Sequence, residues 1–401
     1  MAYLAPEIPA LSATFVYEEM FGLERCGVSI VPVSVHRPHQ PAHGQEELAS
    51  RVRYLYEGSK ALLALNGIVR LFSFRGAPKA LTWLVSDMLE CGLFKAGSWK
   101  LAFQFLAAGK LAAILRQEKC THLHVHFAHV PTQIAMYAAA LADVPFTIMA
   151  HANDIFERGL LLERKAKRAV RMLTISEHNR AYLESVGVPA DKLAVLRCGV
   201  SFASRHSVPE WGAKDHYRIG TLGRLVEKKG VDVLIRAVAQ TRNRPYRIEL
   251  SIAGDGPLRA ELERLVAELN LGDVVRFEGS MPHHRVQEWM HGLDAFVLAC
   301  KPDANGDMDG IPVVLMEAMS QSVPVISTRL SGIPELVVDG ETGLLAAPGD
   351  AGDLATQIDR LLNASELRRS LAEKAVEHVR SEFSREVNID RLMGHLGLAT
   401  R

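Results

Sequence analysis

Short apolar runs without polar alternation recur along the chain, separated by longer stretches of helical period. In the C-terminal half, Tyr217–Leu222, Ile248–Ala253, Val274–Glu278, Ala295–Ala299 and Pro324–Ser327 predict strands, with Val231–Thr241 and Leu258–Leu269 as helices between them. Runs of this kind suit strands buried on both faces, and their alternation with helices predicts parallel sheets covered on both sides. The N-terminal half repeats the theme with candidate strands Ala2–Leu4, Val28–Val33, His122–His126, Phe146–Ala150, Arg171–Ile175 and Leu193–Leu196. Residues 46–118 read as helical throughout, with breaks expected at Gly58, Gly76 and Gly97. A linker is expected over 200–215, which holds Pro209 and Gly212, and a break at Phe383-Ser384 ahead of a closing helix. The expected class is therefore α/β, with two doubly wound parallel-sheet domains facing a cleft. Their expected limits are 1–205 and 206–380, with a helix over 381–401 packing back toward the first domain. Ligands of such sheets bind outside the carboxyl ends of the strands.

A length of 401 residues accommodates two cores, and 48% hydrophobic with 23% charged content is ordinary for a soluble globular protein. The net charge of zero hides an asymmetry: residues 1–205 carry 23 Lys+Arg against 17 Asp+Glu, the remainder 23 against 29, and residues 51–119 alone 11 against 4. A basic half favours an anionic partner such as membrane lipid or a phosphorylated acceptor, and a solvated helical face accounts for it equally. The run Arg164-Lys165-Ala166-Lys167-Arg168 behind Leu160–Leu162 allows a membrane-surface helix or one whose leucines pack inward. Five scattered cysteines without a Cys-x-x-Cys pair indicate reduced thiols. Signal-peptide order is missing at the start, and Arg70 and Lys110 interrupt the best apolar stretches. The expectation is a cytoplasmic protein, peripheral at most at the inner face of a membrane, with no nucleic-acid partner.

Candidate chemistry concentrates in the second half. In Asp309-Gly310-Ile311-Pro312-Val313-Val314-Leu315-Met316-Glu317-Ala318 two carboxylates stand eight residues apart around a Gly-x-Pro helix start. The free amides and dipole of a helix start seat an anion, so an acid just ahead of it suits hydroxyls rather than phosphate, and Glu317 offers a carboxylate for ribose. Gly220–Gly230 follows a strand and brings Arg224 and Lys229 toward its end beside Gly223, one cation suited to a two-pronged phosphate grip and one a point charge. The segment is neither a P-loop nor a Gly-x-Gly-x-x-Gly fingerprint. Gly254 and Gly256 in Ala253-Gly254-Asp255-Gly256-Pro257 admit a nucleotide base against the backbone, or simply make a good turn. His151, just past the strand Phe146–Ala150, stands where a site is expected. His122, His124, His126 and His129 tempt a metal reading, but a flat strand separates ligands more widely than a tetrahedral ion wants, so satisfied histidines are expected, with His126 lining the cleft.

In order, Gly223-Arg224-Leu225…Lys229-Gly230, Ala253–Pro257, Asp309–Pro312…Glu317-Ala318 and Ser331-Gly332-Ile333-Pro334-Glu335…Gly340-Glu341-Thr342-Gly343 resemble the retaining glycosyltransferases of family 4, with the two-Rossmann GT-B fold. The resemblance is specific over about 217–350. Pro9–Phe15 and the Phe127/His151 region are most similar to the exopolysaccharide branch, including colanic-acid-type transferases. It implies transfer of a hexose from a nucleotide-diphosphate sugar, UDP favoured over GDP, to a glycan or lipid-linked oligosaccharide with retention of configuration. Neither cofactor nor metal is implied. Arg224 and Lys229 match the cations that neutralise the diphosphate, Glu317 the ribose ligand, and Gly310 and Ile311 amides toward sugar or phosphate. His151, in His151-Ala152-Asn153-Asp154, matches the histidine facing the transferred sugar. Asp309 takes the first place of a Glu-x7-Glu motif, one methylene short of the family's residue. Ser12 and Thr14 belong to a loop that borders donor phosphate and acceptor in this fold. The rival readings are an epimerase or phosphorylase of the same fold, and a non-catalytic nucleotide-sugar-binding subunit of a polysaccharide assembly.

Overall fold

The computed structural model describes residues 1–10, 13–38, 44–71, 73–202 and 211–398. Ser12 and most of the expected linker, 203–210, lie outside them. The chain divides into two compact units, one of Met1–Ile175, Asn179–Leu196 and the chain from Ile389 onward, the other of Ser176–His178 and Arg197–Asn388.

The first unit holds strands β1 (Ala2–Glu7), β2 (Val31–His36), β3 (Arg53–Tyr54), β4 (Leu123–His126), β5 (Phe146–Ala150), β6 (Arg171–Thr174) and β7 (Leu193–Val195). They pair in the order β3-β2-β1-β4-β5-β6-β7, all parallel. The second unit holds β8 (His216–Leu222), β9 (Arg247–Ala253), β10 (Val275–Gly279), β11 (Ala295–Val297), β12 (Val325–Thr328) and β13 (Leu344–Ala346), ordered β10-β9-β8-β11-β12-β13 and again parallel. Both sheets therefore reverse direction beside their first strand, between β1 and β4 and between β8 and β11. Crevices form there because the connections on either side run to opposite faces.

Several boundaries differ from the sequence reading. β2 starts at Val31 because Val28 closes the preceding helix Thr14–Arg25, its N–H donating to the Leu23 carbonyl at 3.1 Å after Gly27 at φ 87°. β3 and β13 are edge strands of two and three residues, too short to show a period. Residues 46–118 form the helices Glu46–Arg51, Lys60–Leu71, Ala77–Cys91 and Ala96–Gln117, with β3 among them. Gly97 lies inside the last helix, and the break falls at Gly92, whose φ of 85° an L side chain resists. Pro312 precedes its helix, Val313–Ser320, by one residue as the cap.

Three of the four cations in the run Arg164–Arg168 are structural, while Lys167 is exposed and pairs with Glu163. Lys165 is fully buried and its ammonium donates to the Ala128 and Leu160 carbonyls, at 2.6 and 2.5 Å. Arg168 grips the buried Asp87 with two hydrogen bonds of 2.6 and 2.7 Å, while Arg164 and the Tyr137 hydroxyl reach the same carboxylate at 3.3 and 2.7 Å. Asp87 thereby ties the helices Ala77–Cys91, Val130–Ala142 and Leu162–Arg168 together. Removing one partner of such a pair strands the others in a low dielectric. Asp87→Ala should lower stability by about 3–5 kcal/mol, read as a shift in urea midpoint. A change below about 1 kcal/mol would show that the guanidinium groups find water instead.

Candidate active site

In the first unit the reversal point gathers an aromatic and imidazole cluster. His126 ends β4, and His151 follows β5 with its ring against those of Phe15 and Phe127, at centroid distances of 4.9 and 4.5 Å. Phe127 sits at φ 70°, a strained position that its N–H bond to the Met149 carbonyl helps to hold. Asp154 serves as a clamp. Its buried carboxylate accepts the amide N–H of His151 at 2.9 Å and that of Ala128 at 2.5 Å, joining the loops that follow β5 and β4. Thr14 begins the helix Thr14–Arg25, which carries Glu19 into the cluster.

Glu19 and Tyr3 were not singled out in the sequence. Tyr3 lies opposite His124 in the β1–β4 ladder, and its hydroxyl donates to Glu19 while standing 2.6 Å from His126 Nε2. The same nitrogen is 3.1 Å from Glu19 Oε1. With the tyrosine proton directed to the carboxylate, His126 Nε2 faces two acceptor oxygens and must carry hydrogen. Its Nδ1 is then an acceptor and takes the proton of His151 Nε2, 3.2 Å away, which leaves His151 Nδ1 as a lone pair. Burial, with smaller contributions from His126 and His129, holds the His151 imidazole well below its ordinary pKa, so it is neutral.

The histidine strand is packed rather than solvated. Thr147 Oγ1 meets His122 Nε2 at 3.0 Å and His124 Nδ1 at 2.7 Å. His124 Nε2 has no hydrogen-bond partner, and with His126 and Glu19 it offers ligand atoms all within 4.8 Å of one another. The three donors converge, against the wide spacing expected of a flat strand, because Glu19 arrives from the helix Thr14–Arg25.

In the second unit the loops after β8, β9 and β11 meet at the reversal point. The Gly223 amide donates to the Ala253 carbonyl at 3.1 Å, and Leu225 N–H to the Asp255 carbonyl at 2.9 Å. A Cβ on Gly254, at φ 117°, would stand 1.9 Å from the Gly223 carbonyl oxygen, and one on Gly256 2.5 Å from that of Leu225. These two glycines admit the neighbouring loop of their own chain, which is why a turn and a ligand seat looked alike in the sequence.

Lys229 reaches over Gly223, whose ideal Cβ position lies 3.5 Å from Lys229 Cε, and its ammonium pairs with Asp309 Oδ2 at 2.7 Å. Lys228 bonds Asp307 at 2.8 Å and approaches Asp309 Oδ1 at 3.7 Å, while the buried Cys300 thiol donates to Asp309 Oδ2 at 3.4 Å. Burial opposes both charges of the central pair, yet mutual attraction outweighs it: the Asp309 carboxyl is held below its usual range and the Lys229 ammonium above its own. Burial, reinforced by Asp309, pushes the Cys300 thiol well up. Arg224, two residues past β8, is exposed. Gly310 and Ile311 are buried ahead of the helix Val313–Ser320, on which Glu317 is half-buried. Asp309 was expected to face hydroxyls; among the described contacts its carboxylate serves Lys229 first. Thr342 closes a turn, accepting from Val338 N–H at 2.8 Å and donating to the Leu336 carbonyl at 3.1 Å.

Two doubly wound parallel sheets, one with a cation-bearing glycine loop at its reversal point, are the architecture of a GT-B glycosyltransferase. The model of Glycosyl transferases group 1 matches residues 207–378, and that of Glycosyltransferase Family 4 matches residues 52–203. The chain is 30% identical over 399 residues to WcaL of Escherichia coli (strain K12), a glycosyltransferase assigned by name to colanic acid biosynthesis, with 95% of each chain covered. It is 30% identical over 385 residues to the amylovoran biosynthesis glycosyltransferase AmsK of Erwinia amylovora, covering 90% of each. Anabaena Alr3699/HepE, solved in complex with UDP, shares the fold at a TM-score of 0.72 and 15% identity, over 99% of this chain and 100% of that one. The chain belongs to glycosyltransferase family 4, in its exopolysaccharide-type branch.

Nitrogen chemical shifts should show His126 and His151 both protonated at Nε2. Glu19→Gln, which lets residue 19 donate, should reverse the order along the chain; unchanged shifts would uncouple Glu19 from His151. Stability should also respond to pH. Burial holds His122 and His129 at about 4 and His124 and His126 at about 3. Below about 6.5 the unfolded chain therefore binds more protons than the folded one, and stability falls by roughly 1.4 kcal/mol per pH unit for each histidine. Asp154, pushed up to about 6 by burial, and Glu19, also raised by burial, take up protons first in the folded state and offset part of the loss. Melting temperature should drop from pH 7 to pH 5, less steeply in His124→Asn. A flat profile would mean that these imidazoles titrate as if in water.

Proposed function

We propose that this glycosyltransferase moves a hexosyl group from a nucleotide-diphosphate sugar, a UDP-sugar in preference to a GDP-sugar, to a glycan or lipid-linked oligosaccharide with retention of configuration. The observation that carries the reading is Lys229, paired with Asp309 over Gly223 beside the exposed Arg224 at the carboxyl end of β8. The printed names of WcaL and AmsK, and the UDP bound to Alr3699/HepE, support the same chemistry.

In this reading Arg224 and Lys229 stabilise charge on the departing diphosphate, joined by the amides of Gly310 and Ile311. The bond from the anomeric carbon to the diphosphate breaks, that to the acceptor oxygen forms on the same face, and the acceptor proton passes to a diphosphate oxygen. No metal is required, since fixed cations take its place. Glu317 holds the ribose. Asp309 keeps Lys229 charged and aimed, and its reach, one methylene shorter than glutamate's, suits that task. His151, neutral with an acceptor at Nδ1, receives a hydroxyl of the transferred sugar; Gly254 and Gly256 support the loop that carries Arg224. A lipid-linked acceptor suits a protein peripheral at the inner membrane face, and no helix among the described residues is long and apolar enough to cross a membrane.

Arg224→Ala is the clean test because the side chain is exposed. It should leave the melting temperature unchanged, abolish its rise on adding UDP and cut turnover by about 100-fold or more. Lys229→Ala should do the same at some loss of stability, because it strips Asp309 of its main counter-charge. A UDP response equal to wild type in the Arg224 variant would overturn the diphosphate assignment.

A further inference from the structure

Large apolar side chains that stay exposed to water are unevenly spread. Nine of the twelve among the described residues fall between Leu65 and Trp99, and none falls in the second unit. Soluble proteins scatter such residues singly, so their concentration marks an interaction surface.

The helix Ala77–Cys91 shows the cause. Ala80 and Leu84 pack inward, while Leu81, Val85 and Leu89 repeat every fourth position on the opposite, exposed side. The apolar surface of this helix is therefore wider than the core it meets, and Lys79, Thr82, Ser86 and Glu90 form the polar side beyond it. The exposed stripe continues beyond the helix end. Phe94 stands at the turn with 97% of its surface in solvent, and Trp99, in the first turns of Ala96–Gln117, with 65%. On the preceding helix, Lys60–Leu71, the exposed Leu65, Ile68 and Val69 repeat the pattern at spacings of three and one.

Charge selects the occupant. Between Ala77 and Lys100 the only acids are Asp87 and Glu90. Asp87 is held by Arg168, and Glu90 pairs with Arg164. Lys95 and Lys100 are exposed next to Phe94 and Trp99 in the chain, and Lys79 is exposed at the other end of the helix, over the Trp83 ring. An aromatic and aliphatic ridge edged by lysines matches the depth profile of a bilayer surface, with rings at the headgroup level and ammonium groups among anionic lipids. A two-fold contact with a second copy would instead set Lys95 and Lys100 against a like-charged patch.

We propose that the face formed by the helix Ala77–Cys91 and the turn through Trp99 docks on an anionic lipid bilayer. The inference deepens the peripheral placement within the function proposed above, but its support is this surface alone. It also moves that placement away from the run Arg164–Arg168, whose Arg164, Lys165 and Arg168 are tied to Asp87 or to main-chain carbonyls.

Co-sedimentation of the full chain with vesicles tests it. The wild type should pellet with phosphatidylcholine vesicles containing phosphatidylglycerol, less with phosphatidylcholine alone, and less as salt rises. The double variant Phe94→Ser/Trp99→Ser should lose about tenfold or more in partition, and Lys95→Glu/Lys100→Glu should lose the preference for anionic lipid. These side chains are exposed, so melting temperatures should match wild type, and so should the shift on adding UDP, which reads the donor site separately. Wild-type protein that stays in the supernatant with both vesicles, or binding that survives the aromatic double variant, would overturn the proposal. So would a dimer that the aromatic substitutions dissociate, because the face would then belong to a second copy.

Discussion

Charge carried into the interior has to be answered within a few ångströms, and both units are organised around that constraint. In the second, Lys229 and Asp309 lose most of their water and keep their charges only through each other, with Lys228 and Cys300 as neighbours. In the first, Asp87 gathers Arg164, Arg168 and Tyr137, and Asp154 spans two loops by accepting their amides. The loops cannot shift without separating these partners. A phosphate arriving at Lys229 would thus meet a cation already held in place, which is the form of preorganisation that stabilises a developing anion.

Topology decides where that chemistry stands. A parallel sheet covered on both faces offers free loops only at strand ends, and the reversal of strand order opens a crevice beside its first strand. The two sheets share this order, yet they use the position differently. One places exposed and half-buried cations beside a glycine loop. The other builds a nearly dry cluster of imidazole and phenyl rings in which burial removes charge from His151 and leaves it a hydrogen-bonding role.

The outer helices of the first unit obey a separate logic. Basic residues of similar sequence character have opposite fates: Lys165 disappears into the core, whereas Lys95 and Lys100 stay in solvent beside Phe94 and Trp99. The excess charge of the N-terminal half is therefore part internal tie and part external field. On an anionic lipid surface, an apolar ridge within that field would gain hydrophobic and electrostatic attraction together.

Much of the architecture was legible from local pattern. Parallel strands covered on both faces favour apolar residues on both sides, so runs such as Phe146–Ala150 and Tyr217–Leu222 stand out despite Thr147, Arg218 and Thr221, and helices between them go with parallel pairing. The candidates Arg224, Lys229 and Asp309 stood out as well, because glycine punctuates the loops that carry them, and Glu317 did so because Gly310 and Pro312 announce the start of its helix. Only the folded chain could tell which groups face each other. Glu19 and Tyr3 lie far from His126 in sequence and meet it through a helix and a ladder register. Asp309 turned toward Lys229, Gly254 made room for Gly223, and Gly92 rather than Gly97 ended a helix. Sequence spacing encodes period and backbone freedom, which are local. Ion pairing, tautomer and exposure depend on distances between remote segments, and those are set only when the sheet brings them together.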